Sequence, residues 1–318
     1  MSELNWMRKY ILEVGPQGGK GFKIGNTDGT DTQEVLRISF SVDKSDTAGS
    51  NTAEIKIWNL SPDSLKVLDE KDCVAILRAG YGNTLPEVIV GLITNVSTEN
   101  DNADRCTTLE VVDGRMELRD TYISQSWDGK INTKDLYQWV ADAMGVTLVL
   151  ADDLQFEDFA NGYKFVGKAK EMIQELVDAN EHAWSIQNGV LQVYYKGRPV
   201  SDKAYLLKSE TGLLGIPKKI TVSENNDTNA NLTGYEINYF FNGAIGVNDI
   251  VQIESNTASG YYRIYKLSQK GDNFEGDWIC TAEVLEIKSL PTRAERIKQR
   301  QRANELLDKI SGKKVTTS

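Results

Sequence analysis

The chain holds a single histidine, His182, and the search for chemistry begins there. A lone imidazole acts as a general base only beside a nucleophile or acid that uses it. No Ser or Cys sits in a nucleophile-elbow context, and one histidine does not make a metal site. His182 precedes the apolar pair Ala183-Trp184, so it reads as structural. The acids Asp152-Asp153 and Glu157-Asp158 could be imagined as the two carboxylates of a cell-wall glycosidase. Such a pair lines a cleft at a defined separation, which clustering in sequence does not provide. These four fall in a short loop after a strand, where acids are expected to be simply solvated. The stretch Gly15-Pro16-Gln17-Gly18-Gly19-Lys20-Gly21 is glycine-rich with a lysine. It lacks the spacing and the Ser or Thr of a phosphate-binding loop, so a turn between two strands fits better.

Two further sets of residues could carry function. Tyr239, Phe240 and Phe241, with Tyr261, Tyr262 and Tyr265, could offer a sugar-stacking platform. Adjacent aromatics in strands more often place one ring in a core and the next at a subunit interface. Cys73, Cys106 and Cys280 lie far apart in strand-like stretches without a CxxC pairing, and read as small apolar groups. The expectation is therefore a protein that is not an enzyme, with catalytic, cofactor-binding and metal residues all none and no cofactor.

Composition narrows the class. The 318 residues suggest two to four compact units, and 40% hydrophobic with 26% charged residues is ordinary for a globular protein. No apolar run reaches the length that spans a bilayer, and Met1 to Tyr10 carries no signal-peptide core. No membrane insertion and folding in a cytoplasm are the expectations. The formal net charge of −10 and scattered Lys and Arg argue against a protein that grips nucleic acid. They suit one that nucleic acid slides past, although solubility alone explains them equally simply.

The elements that must position any site follow from periodicity. Leu36, Ile38, Phe40 and Val42 alternate with polar residues, as do Ala53, Ile55 and Ile57, which predicts two strands able to pair as a hairpin. Ser61-Pro62-Asp63 opens a short helix with Leu65 and Leu68 inward. Strands are predicted at Val74–Leu77, Val88–Val96 and Thr107–Val112. The pattern then turns helical: Asn132 caps a helix carrying Leu136, Trp139, Val140, Ala143 and Met144, ended by Gly145 and followed by a strand at Val146–Leu150. A second helical stripe runs through Ala169, Met172, Ile173, Leu176 and Val177. Trp184–Gln187 and Val190–Tyr194 flank Asn188-Gly189, a type I′ hairpin signal. Beyond Pro199 an Asn-rich loop is expected at Asn225–Asn231, with strands at Gly234–Phe240, Ile250–Glu254, Tyr261–Ser268 and Trp278–Ile287. Thr292–Ile310 reads as a polar helix with a basic run, Arg293, Arg296, Lys298, Arg300 and Arg302, either solvated or a peg for an acidic neighbour.

Several segments, taken in order, resemble one family. Ser209-Glu210-Thr211-Gly212-Leu213-Leu214-Gly215-Ile216-Pro217 resembles the Glu-Thr-Gly-Leu-Ile-Gly-x-Pro turn of phage baseplate hub proteins, the late control protein D-like family. Gly246–Ile253 and Gly260-Tyr261-Tyr262-Arg263-Ile264 are similar to that family's next two strands. Gln269-Lys270-Gly271-Asp272-Asn273 with Asp277-Trp278 resembles its His-Lys-Gly-Asp…Trp hairpin, with Gln269 in place of His. Trp58-Asn59-Leu60-Ser61, Ala79-Gly80-Tyr81, Gly91-Leu92-Ile93 and Asp113-Gly114 resemble its tail-tube-like barrel.

The resemblance spans Tyr10 to Ile287. It implies a mainly β protein with an α+β insert: a tube-like β-barrel domain at 1–126, an α+β insert at 127–199, a second barrel at 200–290 and a C-terminal helical tail at 291–318. It also implies a homotrimer forming a pseudo-sixfold ring that joins a hexameric tail tube to a trimeric spike in the virion baseplate, assembled in the host bacterial cytoplasm. The implied partners are the tail tube or tube-initiator protein, the spike protein, the baseplate wedge proteins, and tape-measure protein or DNA in the lumen. Phages, headless tailocins and other injection devices share the pattern. A long non-contractile tail is the alternative, and the lack of a long C-terminal extension favours a contractile one. A tail-tip cell-wall hydrolase or carbohydrate-binding receptor-recognition protein is the rival class.

Overall fold

The computed structural model describes residues 7–16, 18–26, 35–46, 50–113, 121–223 and 231–287. The expected Asn-rich loop lies outside them apart from Asn231, and the C-terminal helix with its basic run lies wholly outside them. The protein is mainly β. Two compact units emerge: one carries the described residues up to Asp113 with Gln187–Gly189 and Lys203–Glu286, the other the described residues from Thr121 to Ile186 with Val190–Asp202.

The first unit is built on one thirteen-stranded sheet. Its first half supplies β1 (Arg8–Pro16), β2 (Phe22–Gly25), β3 (Ile38–Ser45), β4 (Thr52–Trp58), β5 (Cys73–Tyr81), β6 (Glu87–Asp101) and β7 (Asp104–Val112). The hairpin expected from alternation is β3–β4, with Ile38 opposite Ile57 and Phe40 opposite Ile55. Of the glycine-rich stretch, Gly15 and Pro16 end β1, and residues 18–21 lead into β2, which pairs antiparallel with it. α1 (Pro62–Leu68) starts as expected, with Ser61 Oγ accepting the Ser64 amide at 3.1 Å.

The second unit holds β8 (Tyr122–Trp127), β9 (Ile131–Asn132), α2 (Thr133–Met144), β10 (Thr147–Leu150), β11 (Asp158–Phe159), β12 (Tyr163–Lys168), α3 (Ala169–Asn180), β13 (His182–Gln187) and β14 (Val190–Tyr195). Asn132 Oδ1 accepts the Lys134 amide at 2.9 Å, and Gly145 closes α2 in the left-handed conformation. Leu136, Val140, Ile173 and Leu176 on the helices and Trp184, Leu191 and Val193 on the strands are all buried. β10 joins the hairpin by pairing in parallel with β14.

The chain then returns to the first unit with β15 (Ala204–Lys208), β16 (Leu213–Ser223), β17 (Asn231–Phe240), β18 (Ile250–Glu254), β19 (Ser259–Asp272) and β20 (Trp278–Glu286). The two β-rich ranges, read separately along the sequence, meet in one sheet because β19 pairs with β3 from Lys266 opposite Ser45 to Asp272 opposite Ser39. They also share one plan. The first half runs β3-β4-β7-β6-β5-β1 and the second runs β16-β17-β20-β19-β18-β15. Each is a hairpin, a strand of its own, and a second hairpin that folds back between them. The halves differ in that β1 is antiparallel to β5 whereas β15 is parallel to β18. Core residues come from both: Phe40, Phe241 and Trp278 meet edge-on or tilted, with ring centroids 5.0–5.7 Å apart.

Candidate functional site

The residues considered for catalysis are held by structural partners. His182 is buried in the second unit against Tyr137, Phe156 and Tyr195. Its Nδ1 lies 3.2 Å from the Tyr137 hydroxyl and its Nε2 3.1 Å from the Gln155 carbonyl. Burial lowers its pKa to about 4, so the imidazole is neutral at pH 7. Asp152 and Asp158 are exposed, as expected of solvated acids, and the expectation is corrected for Asp153. Asp153 takes the Arg198 Nε at 2.6 Å with both side chains largely covered, and Asp158 takes Lys130 and Asn132. Coulombic attraction and hydrogen bonding hold these carboxylates in ion pairs rather than facing a cleft. Among the described residues, no group of three His, Cys, Asp or Glu side chains converges as metal ligands. Cys73 and Cys280 are buried, Cys106 is half-buried, and all three are free thiols.

The segments that carry the family resemblance build turns. At Gly271 an added Cβ would lie 2.3 Å from the Phe40 ring and 2.8 Å from Trp278, so this position lets the aromatic core close. The Asp272 Oδ1 accepts the amides of Phe274 and Glu275, and Oδ2 pairs with Arg37 at 3.0 Å. Asn59 has a left-handed φ of 58° and clips the β6–β7 hairpin: its Nδ2 donates to Asp104 and its Oδ1 accepts the Arg105 amide. Trp58 Nε1 donates to Asp101 on the same hairpin. Asp249 accepts the Gly246 amide at 2.8 Å, and Asn248 accepts from the buried Arg263, which also pairs with Asp46 at 2.6 Å. Asp113 is buried and accepts the amides of Asn188 and Gly189 with Asn51 Nδ2; burial raises its pKa despite those bonds. Gln269 is buried in the sheet, with its Nε2 3.9 Å from Cys280 Sγ.

What remains for function is the outer face of the large sheet and its edges. One row of cross-strand partners runs Phe240, Ile279, Lys270, Ser41, Glu54, Glu110 and Asn95 through β17, β20, β19, β3, β4, β7 and β6. A second runs Asp272, Ser39, Lys56, Thr108 and Ser97. Their neighbours along each strand point into the core, as a pleated sheet requires. Short hydroxyl and amide side chains alternate with charged ones in these rows, and Phe240 and Ile279 stand at one end. Several of the charges on this face pair: Lys56 with Glu54 at 2.9 Å, Lys266 with Glu283 at 3.4 Å and Lys218 with Glu236 at 3.8 Å. This gives a broad polar surface without concentrated positive charge. A shallow depression of about 220 Å³ in it is lined by Ser39, Ser41, Glu54, Lys270, Asp272 and Asp277, and the ion pairs and turn bonds above already engage Glu54 and Asp272.

The aromatic runs divide as their alternation requires. Tyr239, Phe241 and Tyr262 are buried, and Phe240 and Tyr261 are exposed. Ile216, at a register break in β16, is 77% exposed. Among the described residues, β16 pairs only with β17, and the segment of β6 beyond Ile93 pairs only with β7. Both are unpaired strand edges, which natural sheets normally cover or disarm. Sequence patterning missed these edges. The one signal in reach was Val88–Val96 continuing into the wholly polar Ser97–Asp101, a strand that outlasts its core.

No protein-family model matches the chain, and no curated protein matches it in sequence. Solved structures match its fold. A 43 kDa tail protein of prophage MuSo2 from Shewanella oneidensis matches with a TM-score of 0.57 at 10% identity, over 87% of this chain and 96% of that one. A tail protein from Neisseria meningitidis MC58 matches with a TM-score of 0.54 at 10% identity, over 87% and 96%. An E. coli component of the type VI secretion system, described as similar to the T4 bacteriophage tail proteins gp27 and gp5, matches with a TM-score of 0.53 at 9% identity, over 83% and 78%. The chain therefore has the fold of phage tail proteins and of a secretion-system component similar to them.

Proposed function

We propose that this chain is a structural baseplate hub of a phage-type contractile tail. Three copies form a pseudo-sixfold ring that joins the hexameric tail tube to the trimeric spike and leaves a central channel. The observation that carries this reading is the repeated strand plan of the first unit. A chain with two equivalent wall segments turns a threefold assembly into a sixfold one, which lets a sixfold tube seat on a threefold spike. In this reading the ranges 1–126 and 200–290 act as the two tube-like barrel segments, 127–199 is the insert, and 291–318 is a helical tail facing a wedge or spike neighbour.

The polar face supports the same role. A wall in which hydroxyl and amide side chains alternate with acids and lysines, several of them paired, offers DNA or a tape-measure protein little to hold, since phosphate binding needs clustered Lys and Arg. The rows through Ser41 and Ser39 are accordingly the proposed lumen surface. Electron microscopy of the purified chain, mixed with tube and spike proteins of the same particle, tests this. Rings with a central channel, capped on one side by tube and on the other by spike, are expected. Isolated single chains under all mixtures would contradict it.

A further inference from the structure

Four strands of each half, β3-β4-β7-β6 and β16-β17-β20-β19, match in register, which points to a partner for two of the unpaired edges. β6 and β19 each bend at a register break in the same place: Ile93 and Ile264 precede it, Asn95 and Lys266 follow it. Beyond the break, Asn95 faces Glu110 as Lys266 faces Glu283, and Ser97 faces Thr108 as Ser268 faces Thr281. Glu54 faces Glu110 as Glu236 faces Glu283. In the outer hairpins, Ser41 faces Glu54 as Lys218 faces Glu236, and Asp43 faces Thr52 as Ile220 faces Gly234. So β6 corresponds to β19, and β16 to β3.

Within the chain the distal part of β19 is paired with β3. The corresponding pair, distal β6 with β16, is unmade among the described residues, and both of these strands have an open edge there. Resting on the ring reading above, we propose that β16 of one copy pairs antiparallel with distal β6 of the next, in the register that β3 and β19 use within the chain. Transferring that register sets Ser97 opposite Ile220 and Glu99 opposite Lys218, an opposite-charge pair on the outer face. It also covers Val96, which is partly buried where its counterpart Leu267 is 2% exposed. The two edges are different surfaces, so the contact is head-to-tail and propagates until it closes on itself.

Cysteine cross-linking in the full chain tests it, in a Cys106→Ser background to remove the half-buried thiol. Directly opposed strand positions place Cβ atoms about 4.5–5.5 Å apart, close enough for a disulfide after small adjustment. The double variant Ser97→Cys, Ile220→Cys is expected to give, on mild oxidation, a covalent ladder that ends at the ring. The two single variants are expected to cross-link only when mixed, and then only as dimers. Cross-linking by either single variant alone would overturn the assignment. So would an oligomer by native mass that yields no ladder, with the ring reading left standing. A strict monomer in all conditions would overturn both. A charge swap guards against a misfolded cysteine variant: Glu99→Lys is expected to weaken association a few-fold, and adding Lys218→Glu to restore it. Equal association in all three forms would also count against this register.

Discussion

At the residue scale, the groups that looked most chemical have partners in the fold, and their surroundings set measurable consequences. His182 is neutral in the folded protein, with a pKa of about 4 against about 6.5 when unfolded. Between those values the unfolded chain binds the extra proton, so stability is complete above about pH 6.5 and falls as pH drops toward 4. The loss should approach about 3 kcal/mol, and His182→Gln should flatten that slope in denaturant titrations across this range. Gly271→Ala drives a methyl into the Phe40 and Trp278 rings and is expected to cost about 2 kcal/mol. Arg263→Met leaves the Asp46 carboxylate without its 2.6 Å partner in a covered site and should cost about 3 kcal/mol in the same assay. The motif residues Gly271, Asp272 and Asp249 were legible as a pattern in the sequence. Their reasons, a ring closing over a missing Cβ and carboxylates capping amides, appear only once distant strands meet.

At the element scale, what the sequence revealed was whatever is local. Alternation located β3 and β4, Ser61 and Asn132 capped their helices, and Asn188-Gly189, both with positive φ, closed its hairpin. The pairing of β3 with β19 was not legible, because periodicity says which face of a strand is buried but not which strand lies beside it. The register break shared by β6 and β19 was hidden for the same reason. The short strands β8 and β12 pair with each other across the intervening helix α2, and neither carries a clear alternation. The open edges lead to a hydrogen-exchange prediction. Amides on the outer side of β16 and of β6 beyond Ile93 should exchange quickly in the isolated chain and slow at least tenfold on assembly. Amides of β3 and β4 in the sheet centre should be slow in both states.

At the scale of the whole molecule, the first unit repeats one strand plan along the chain and leaves one copy of a repeated contact unmade. In the proposed closed ring every such contact would be satisfied, and the polar sheet face would line its channel. The acidic balance of the chain fits that use, since acids interleave with the lysines on this face and dilute any basic stripe that would arrest a polyanion. The most direct test is the native mass of the purified chain by light scattering, alone and with its tube and spike neighbours. Three times the 35.5 kDa chain mass, reached alone or on adding a neighbour, is the expected result. A mass that stays at one chain with every tail partner would contradict the hub.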